Sequence, residues 1–490
     1  MRLSSVKMFD ILHDILQERG TLIFAVAYLS LEFAAVVAAV HAVMHVRTAQ
    51  GATAWLIALL TAPFIALPLY AVFGRRRFLG YVAARRAGDA AIADVGSQFK
   101  RQTGSALEAA IDRSNRRYAG FETVAGTPFL AGNRSELLVD GVATFEAIFN
   151  ALGNAEDYVL VQFYIIRADK LGERLREALI ACRKRGVRVY LLYDAVGSYG
   201  LPRRWLQPLI DAGADVSAFT GTTRRTRRLQ VNFRNHRKLV VVDGQSAFVG
   251  GHNVGDEYLN EHPVLSPWRD THVAVRGPVA TATQVPFIQD WYWSTGTLPI
   301  VSWHPRQLPA GEDVLSLPSG PADELEAGSL MFVHAIHSAR GRLWIVSPYF
   351  VPNGSIIDAL KLAAYRGVDV RILIPGITDN RIVALAGRAY LPELIPSGVR
   401  VFRYQAGFLH QKVMLIDDDL AAVGTANLDN RSMRLNFEHT LIFADAAMAA
   451  RMEAMLEADF AASEELEALE ADPWWLRAAS RGARLFAPVL

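Results

Sequence analysis

The 490-residue chain is predicted to be an α/β protein with two pseudo-twofold-related halves behind a two-helix transmembrane hairpin. Three observations predict this class. Two long apolar stretches open the chain, short apolar strands alternate with helical stretches over the remainder, and that alternation occurs twice in the same order. The length suits two to four domains at roughly 100 to 200 residues each.

Composition narrows the class of protein. Hydrophobic residues make up 51% and charged residues 20% of the chain, and the mean hydropathy of +0.17 is high for a purely soluble enzyme. Lys and Arg number 51 and Asp and Glu 49, so the net charge of +2 does not indicate a general nucleic-acid binder. The single cysteine, Cys182, excludes an internal disulfide and a cysteine-based zinc site.

The hairpin is predicted from two apolar runs. Residues 22–46 contain one charged member, Glu32, and residues 54–73 contain none, so each run is long enough to cross a hydrocarbon core of about 30 Å. We assign the two transmembrane helices to residues 21–74. Residues 1–20 alternate apolar and charged positions, which is typical of an amphipathic helix on the membrane surface.

Basic residues give the expected orientation of the hairpin. The second span is followed by Arg75, Arg76, Arg77, Arg85 and Arg86. The turn between the spans carries only Arg47. By the positive-inside rule, both ends of the chain therefore face the cytoplasm. A signal peptide and two buried helices of a soluble domain are the alternative interpretations.

An internal repeat organises the rest of the chain. Four strand-like stretches of the first half begin at Val161, Arg185, Gly213 and Asn235, and their counterparts begin at Val346, Arg366, Gly398 and Leu409. Two duplicated α/β units most simply pack face to face with pseudo-twofold symmetry, as an isologous dimer fused into one chain. The equivalent motifs of the two halves would then meet at one site.

The repeat also divides the chain. Residues 75–132 are assigned to a juxtamembrane linker, 133–300 to the first domain and 301–490 to the second domain with its C-terminal tail. Residues 296–321 contain Pro and Gly and are expected to connect the two domains.

The C-terminal tail begins near Met448. Its small and acidic residues at helical spacing are expected to form a solvated helix. Trp474 and Trp475, which follow Pro473, either rest at a bilayer interface or pack on the second domain.

The first half carries a basic insert. The repeat offset is 185 residues between Gly213 and Gly398 but 174 between His236 and His410, so 11 extra residues precede the first histidine. The insert contains Arg224, Arg225, Arg227 and Arg228. A solvated face is the ordinary interpretation of such a run, but its position beside the motif favours a functional role.

Each half contains His-x-Lys-x4-Asp followed by Gly-x-x-Asn. The first copy is His236, Lys238, Asp243, Gly250 and Asn253, and the second is His410, Lys412, Asp417, Gly424 and Asn427. The x4 stretches are apolar and β-rich, so period-two alternation places His and Lys on one face of a strand. One copy alone would be an ordinary structural or surface feature. Two copies in register with a repeat indicate a functional site.

Paired His and Lys without acidic metal ligands favour metal-free attack on a phosphodiester. One imidazole attacks phosphorus, the other donates a proton to the leaving oxygen, and the lysines with Asn253 and Asn427 neutralise the phosphoryl oxygens. A carboxylate should orient each histidine. The repeat aligns Asp270 with Glu438, which makes them the candidates, although ordinary strand-end salt bridges would also explain them.

Zinc is the competing chemistry. It would use His236, His410, His252 and His439. A lysine two residues from each motif histidine disfavours a cation there, so neither a metal nor another cofactor is expected.

These residues resemble the phospholipase D superfamily, whose defining feature is this duplicated motif, and among its members the bacterial cardiolipin synthases. Similar stretches begin at Tyr193, Gly250, Ser347, Gly407 and Asn427, and the hairpin and the ending Arg484-Leu-Phe-Ala-Pro-Val-Leu are also similar. Coverage is nearly the whole chain. Two features depart from the pattern: His252 stands where small residues are common, and Pro63 and Pro68 replace a Pro-Gly pairing in the second span.

The resemblance implies two phospholipase D-like α/β/α sandwich domains that join two phosphatidylglycerol molecules into cardiolipin with release of glycerol. His236 would be the nucleophile, through a phosphatidyl-histidine, and His410 the acid and base. The arginines of the insert would recruit a second anionic headgroup. The resemblance also implies a multi-pass protein of the bacterial inner membrane whose catalytic domains lie on the cytoplasmic side. No nucleic-acid partner is expected, and the chain could form a homo-oligomer.

Other functions share these residues. A phospholipase D that hydrolyses phospholipid to phosphatidic acid differs only in how water is kept from the phosphohistidine. Phosphatidyl transfer from another donor lipid would present the same diester. A nuclease is disfavoured because its polynucleotide substrate is soluble, whereas two membrane spans would anchor this chain in a bilayer. A non-enzymatic scaffold would not need both motif copies intact.

Overall fold

The computed structural model of the chain describes residues 3–46, 48–74, 116–219, 232–309, 311–323, 325–467 and 473–490, with side chains from residue 21 onward. The chain divides into two compact units. One contains the N-terminal residues through Phe78, and the other contains nearly all of the remainder.

The N-terminal unit consists of helices α1 (Leu3–His45), α2 (Ala49–Thr61) and α3 (Pro63–Phe73). The three helices pack on one another through small residues and Tyr70, whose hydroxyl lies 2.7 Å from Nδ1 of His41. The outward faces carry exposed apolar side chains such as Phe24 and Phe33. Residues 21–45 of α1 have a mean hydropathy of 2.2 over their most apolar window and are long enough to cross a bilayer.

The expected hairpin of two spanning helices is confirmed only in part. The first span is present, but the second is divided at Ala62 into α2 and α3, each shorter than a bilayer span. Pro63 lacks an amide hydrogen and disfavours helical backbone at the residue before it, and Ala62 has φ −140° and ψ 59°. The helix α1 also runs without a break from Leu3 through residue 20 into the first span. The assignment of residues 1–20 to a separate amphipathic segment stays a prediction.

The first catalytic half begins within the stretch expected to be a linker. The helix α4 (Arg116–Ala125) precedes the first half in the chain and packs on the second half. The helices of the first half are α5 (Asp140–Gly153), α6 (Lys170–Lys184), α7 (Arg203–Asp211) and α8 (Pro278–Thr295). Its strands are β1 (Leu130–Val139), β2 (Tyr158–Phe163), β3 (Arg188–Asp194), β4 (Asp215–Phe219), β5 (Arg234–Asn235), β6 (Leu239–Val242), β7 (Ser246–Gly250), β8 (Trp268–Arg269) and β9 (Thr271–Arg276).

The second half repeats this order. Its strands are β10 (Glu312–Ser319), β11 (Arg342–Val346), β12 (Phe350–Val351), β13 (Asp369–Pro375), β14 (Arg400–Tyr404), β15 (Phe408–Leu409), β16 (Val413–Ile416), β17 (Leu420–Gly424), β18 (Leu428–Asp429), β19 (Asn436–Ala444) and β20 (Ser463–Glu465). Its helices are α9 (Ala327–Ser338), α10 (Gly354–Tyr365), α11 (Arg381–Arg388), α12 (Leu391–Leu394), α13 (Asn430–Arg434), α14 (Ala446–Ala461) and α15 (Trp474–Arg484).

Two expectations about these segments are corrected. The strand β10 lies within residues 296–321, so this stretch is not only a connection; β10 pairs with β1 of the other half. The helix α14, expected to be solvated, is a core helix. Met448, Met452 and Leu456 recur every four residues on its buried face. Of its acidic residues, Glu457 is exposed, whereas Asp459 is buried and pairs with Arg269.

One mixed sheet joins the halves, and its strand order is symmetric about the β1–β10 pair. From that pair outward the first half reads β9, β7, β6, β2, β3, β4, and the second reads β19, β17, β16, β11, β13, β14. The first residues of β1 pair with β10, and residues Arg134 to Val139 pair with β9, so β1 belongs to both ladders. The expected α/β class with pseudo-twofold symmetry is confirmed.

The halves also exchange short strands. The strand β5, which precedes His236, pairs in parallel with β19 of the second half, and β15, which precedes His410, pairs in parallel with β8 of the first half. Each catalytic motif is therefore aligned by backbone hydrogen bonds to the opposite half.

Candidate active site

His236 is held by the second half. Its backbone N–H donates to the carbonyl of Phe437 at 2.9 Å, and its Nδ1 lies 3.0 and 2.9 Å from the two carboxylate oxygens of Glu438. The edge of the Tyr164 ring packs on the imidazole, with ring centroids 5.0 Å apart. Glu438 is fully buried and accepts further hydrogen bonds from Thr425 Oγ1 and Asn436 Nδ2 at 2.6 and 3.1 Å.

His410 is held by the first half in the same way. Its backbone N–H donates to the carbonyl of Arg269 at 2.8 Å, and its Nδ1 lies 2.7 Å from Oδ2 of Asp270. Asp270 is fully buried and also accepts from the backbone N–H of Thr271. Each half thus supplies the carboxylate for the histidine of the other half, as two interlocked copies of one arrangement.

These contacts define the state of each imidazole. A carboxylate at Nδ1 favours a proton on that nitrogen, which leaves Nε2 for chemistry. At His410 the Nζ of Lys412 also lies 3.0 Å from Nδ1, beside Asp270. Burial lowers the pKa of His236 from its ordinary value to about 4 and that of His410 well below its ordinary value. The lysine charges lower both further, while Glu438 opposes the shift at His236. Both imidazoles are therefore neutral at pH 7 in the free site.

The two motif lysines lie inside the site. Lys238 donates from Nζ to the carbonyl of His236 at 2.7 Å, and Lys412 donates likewise to the carbonyl of His410. Burial lowers the pKa of Lys238 to about 7 and that of Lys412 to about 8, although Glu438 and Asp270 favour the charged forms. Each lysine charge acts on both histidines, so the two motifs form one electrostatic site.

The carboxylate of Glu438 is ionised. Burial alone would raise the pKa of Glu438, but the charges and hydrogen bonds of His236 and Lys238 together lower it. A buried anion between a histidine and a lysine can stabilise an imidazolium formed during a reaction. The site therefore contains a neutral nucleophile in His236 and a proton carrier in His410. Lys238 and Lys412 are the two cations for a phosphoryl group.

The structure does not bring the two motif aspartates to the histidines, which corrects the catalytic role expected for them. Asp243 accepts the backbone N–H groups of Glu156, Asp157 and Tyr158 at 2.8 to 3.0 Å, at the entrance to β2. Asp417 does the same for residues 340, 341 and 342 at the entrance to β11. Both have positive φ, 54° and 52°, because each makes a tight turn after its motif strand.

The two motif asparagines differ in their partners. Asn253 is engaged by the first half, since its Oδ1 accepts from Ile165 N at 3.1 Å and its Nδ2 donates to the Tyr258 hydroxyl at 2.8 Å. Asn427 is buried, and its Oδ1 has no hydrogen-bond partner among the described residues. Of the two motif asparagines, Asn427 therefore has a buried side-chain oxygen available to accept a hydrogen bond from a ligand. Arg224, Arg225, Arg227 and Arg228 of the insert lie outside the described residues.

The histidines of the zinc alternative have separate partners. His252 lies with its Nδ1 3.0 Å from Nδ1 of His272, while His439 Nε2 lies 2.8 Å from the Ser316 hydroxyl. Burial lowers the pKa of His252 to about 3. Within the part of the chain that the structure describes, no group of three His, Cys, Asp or Glu side chains is arranged to hold a metal ion.

A buried polar network beside His236 escaped the sequence analysis. Arg237 forms an ion pair with Asp290 of α8 at 2.6 Å and donates to the Glu438 carbonyl at 3.1 Å. Asn235 and Gln162 also donate to Asp290, at 2.7 and 2.8 Å. The network holds β5 and the backbone of Glu438 together. Arg237 was visible as the middle residue of His-x-Lys, but Asp290 belongs to no motif.

Known protein families match more than half of the chain. The family described as cardiolipin synthase, PLD-like domain, matches residues 148–263 and 332–460, and a phospholipase D-nuclease N-terminal family matches residues 33–75. Cardiolipin synthase A of Pseudomonas putida is 48% identical over 459 residues, covering 93% of this chain and 95% of that protein. The Pseudomonas aeruginosa protein of the same name is 49% identical over 463 residues, covering 93% and 94%.

The chain belongs to the cardiolipin synthase family of the phospholipase D superfamily. A solved phosphatidylserine synthase from Haemophilus influenzae shares the fold, with a TM-score of 0.58 at 17% identity, and covers 77% of this chain and 100% of its own. The family confirms an enzyme of the phosphatidyltransferase type. Membership in this family, with an apolar N-terminal helix long enough to span a bilayer, indicates a membrane-associated protein.

The exchanged carboxylate predicts a large catalytic effect. Replacing Glu438 by Gln should lower kcat by about 10²- to 10⁴-fold with little change in KM, because the amide cannot stabilise the imidazolium of His236. Steady-state kinetics in detergent micelles would measure this. Glu453→Gln, which removes a carboxylate paired with Arg342, is the matched control and should keep full activity. Equal losses in both variants would contradict the assignment.

The role of Asp243 predicts a stability effect. Asp243→Ala should lower the free energy of unfolding by about 2 kcal/mol or more, since three backbone N–H groups lose a charged acceptor. A thiol-reactive dye would follow unfolding, because the one cysteine, Cys182, is buried. Asp157→Ala, which removes an exposed partner of Arg188, is the control and should unfold near the wild-type temperature. Normal stability with lost chemistry would restore the catalytic role.

The shifted pKa values predict the pH profile of kcat/KM, which reports the free enzyme. His236 gains a proton only as pH falls through about 4, so no acid limb should appear near 6.5. Lys238 and Lys412 lose their charges as pH rises through about 7 to 8, so kcat/KM should fall there. An acid limb centred at 6.5 would show that the imidazoles are solvated.

Proposed function

We propose that this protein is a cardiolipin synthase that transfers a phosphatidyl group between two phosphatidylglycerol molecules and releases glycerol. The observation that supports this most is the single buried site with two His–Lys pairs, each histidine oriented by a carboxylate of the opposite half. The near full-length similarity to proteins named cardiolipin synthase A supports the substrate class.

In the first step, Nε2 of His236 attacks the phosphorus of one phosphatidylglycerol. The bond from phosphorus to the headgroup glycerol oxygen breaks as the phosphorus–nitrogen bond forms. The diester is an anion, so its charge raises the pKa of His410 in the complex, and His410 takes up a proton from solvent on Nε2 when the lipid binds. That proton goes to the departing glycerol oxygen, and Glu438 stabilises the charge on phosphatidyl-His236.

In the second step, the terminal glycerol hydroxyl of another phosphatidylglycerol attacks the phosphorus. His410 removes the hydroxyl proton, the phosphorus–nitrogen bond breaks, and His236 returns to its neutral form. One phosphodiester replaces another, so the reaction needs no nucleotide. Water in place of the second lipid would give phosphatidic acid.

The cations hold the phosphoryl oxygens in both steps. Lys238 and Lys412 lie two residues after the histidines, in the segments between β5 and β6 and between β15 and β16, and remain partly protonated near neutral pH. Asn427 would donate to a phosphoryl oxygen from Nδ2, because its Oδ1 can only accept a hydrogen bond. Asp243 and Asp417 support the two motif strands, and Asn253 supports the loop after β2. The arginines of the insert recruit a second anionic headgroup.

The membrane arrangement is also part of the proposal. Both ends of the chain lie on the cytoplasmic side of the inner membrane, which the basic residues after Gly74 support. Residues 21–74 form the anchor, 75–132 the linker, and 133–300 and 301–490 the two catalytic domains. The strand β1, which begins at Leu130, pairs with strands of both catalytic domains.

Product analysis tests the proposal. Thin-layer chromatography of products from labelled phosphatidylglycerol, with EDTA present, should show cardiolipin and an equal amount of glycerol. His236→Ala and His410→Ala should each remove more than 99.9% of this activity, since each histidine acts in both steps. His439→Ala, a buried histidine that bonds to Ser316, is the control for general disruption.

The outcomes separate the alternatives. Phosphatidic acid as the sole product would identify a hydrolase and overturn the synthase. Near wild-type activity in either histidine variant would overturn the shared site. Loss of activity in EDTA that zinc restores would overturn the metal-free reaction.

A further inference from the structure

The C-terminal helix α15 has three distinct sides. Ser480 and Ala483 are buried, and with Ala487 just beyond the helix they form a narrow face of small residues against the second half. At about 100° per residue, Trp474, Trp475, Leu485 and Phe486 fall on the opposite side. The arginines fall between the two. The helix therefore packs with one side only.

The apolar side is open. The relative exposures of Trp474, Trp475, Leu485 and Phe486 are 75%, 58%, 81% and 60%. Trp474 and Trp475 at the start of α15, with Leu485 and Phe486 just after its last residue, form an apolar surface of the kind that marks an interaction site on a folded protein. Two of them are tryptophans, which favour the interface between hydrocarbon and water.

The third side is cationic. It carries Arg477, Arg481 and Arg484, and α15 contains no acidic residue. Arg484 leans on the Tyr390 ring at 4.3 Å, with Glu393 3.6 Å away, whereas Arg477 and Arg481 are exposed. A row of arginines beside an apolar stripe is the pattern of a helix that lies in the headgroup layer of an anionic bilayer.

The position of α15 relates this surface to the chemistry. The helix packs on α11, which follows the carboxyl end of β13. The strand β13 is parallel to β11, and the last residue of β11, Val346, pairs with Val413, three residues after His410. The open patch therefore lies near the carboxyl ends of the parallel strands β11 and β13, the same end of the sheet at which His410 lies.

The first half adds exposed apolar residues at its equivalent edge. Val196 and Tyr199 follow the carboxyl end of β3 and are exposed. In the same loop, Asp194 accepts the backbone N–H of Asn235, the residue before His236. In both halves, exposed apolar residues therefore lie at the carboxyl ends of the strands, the same end of the sheet as the catalytic histidine.

We propose that α15, through Trp474, Trp475, Leu485 and Phe486 with Arg477 and Arg481, docks the catalytic domains onto an anionic lipid bilayer at the edge that carries the histidines. This docking is separate from the N-terminal helices. It rests on the proposed function only in its purpose, which is to bring the site to phosphatidylglycerol at the membrane surface.

Fluorescence in vesicles tests the docking without an activity readout. The full chain carrying Trp475→Cys is labelled with the dye NBD, since Cys182 is buried, and reconstituted into phosphatidylglycerol vesicles. The dye should show a blue-shifted emission that doxyl-labelled lipids quench. The control is Tyr365→Cys, an exposed aromatic position at the end of α10, on the opposite edge of the sheet. It should emit as in water.

Two results would overturn the docking. One is a water-like emission from position 475 in phosphatidylglycerol vesicles. The other is a blue-shifted emission that doxyl lipids do not quench, which would show that protein covers the patch. Neither result bears on whether the enzyme makes cardiolipin, which product analysis of the same sample decides.

The arginines give a second, kinetic test. Arg477→Gln with Arg481→Gln should raise the apparent KM for bilayer phosphatidylglycerol by about fivefold for each charge removed, with kcat unchanged. Activity on monomeric dihexanoyl-phosphatidylglycerol should stay at the wild-type level, because that substrate needs no docking. Equal losses on both substrates would assign these arginines to fold stability and overturn their role at the membrane.

Discussion

The hydrogen bonds from each motif histidine to a carboxylate of the opposite half are the interaction on which the site depends. The pairs His236–Glu438 and His410–Asp270 determine which imidazole nitrogen carries a proton and place the free nitrogen in the site. The backbone pairing of β5 with β19 and of β15 with β8 positions these side chains. Neither half contains a complete histidine–carboxylate unit by itself, so the duplicated fold requires both halves.

Burial makes this arrangement chemically useful. A histidine in water would be partly protonated near pH 7, whereas burial keeps His236 neutral and able to attack phosphorus. The same burial lowers the pKa values of both lysines, so the site holds little excess positive charge until an anionic diester arrives. Ionic pairs inside a protein are stable only with good geometry. The Arg237–Asp290 network beside Glu438 provides that geometry on one side.

The pseudo-twofold symmetry is not complete, and the differences lie around the carboxylates. Glu438 receives hydrogen bonds from Thr425 and Asn436, while Gly251 occupies the position equivalent to Thr425 and has no side chain to offer Asp270. A Cβ at Gly251 would lie 2.0 Å from Oδ1 of Asp270, so only glycine fits there. The two histidines therefore have unequal surroundings, as the two different roles of nucleophile and proton carrier require.

The amino-acid sequence by itself determined the repeat, the α/β class, the two His-x-Lys motifs, the pair Asp270 and Glu438, and the first apolar span, because periodicity and spacing are local properties of a chain. The tertiary structure alone decided that each carboxylate serves the other half, across 202 and 140 residues of chain, since no local pattern records such pairing. It also decided that Asp243 and Asp417 cap strands rather than join the site. Asp290 and the buried face of α14 depended on packing as well. The helix break at Ala62 is consistent with the local sequence, because Pro63 disfavours helical backbone at the preceding residue in any fold.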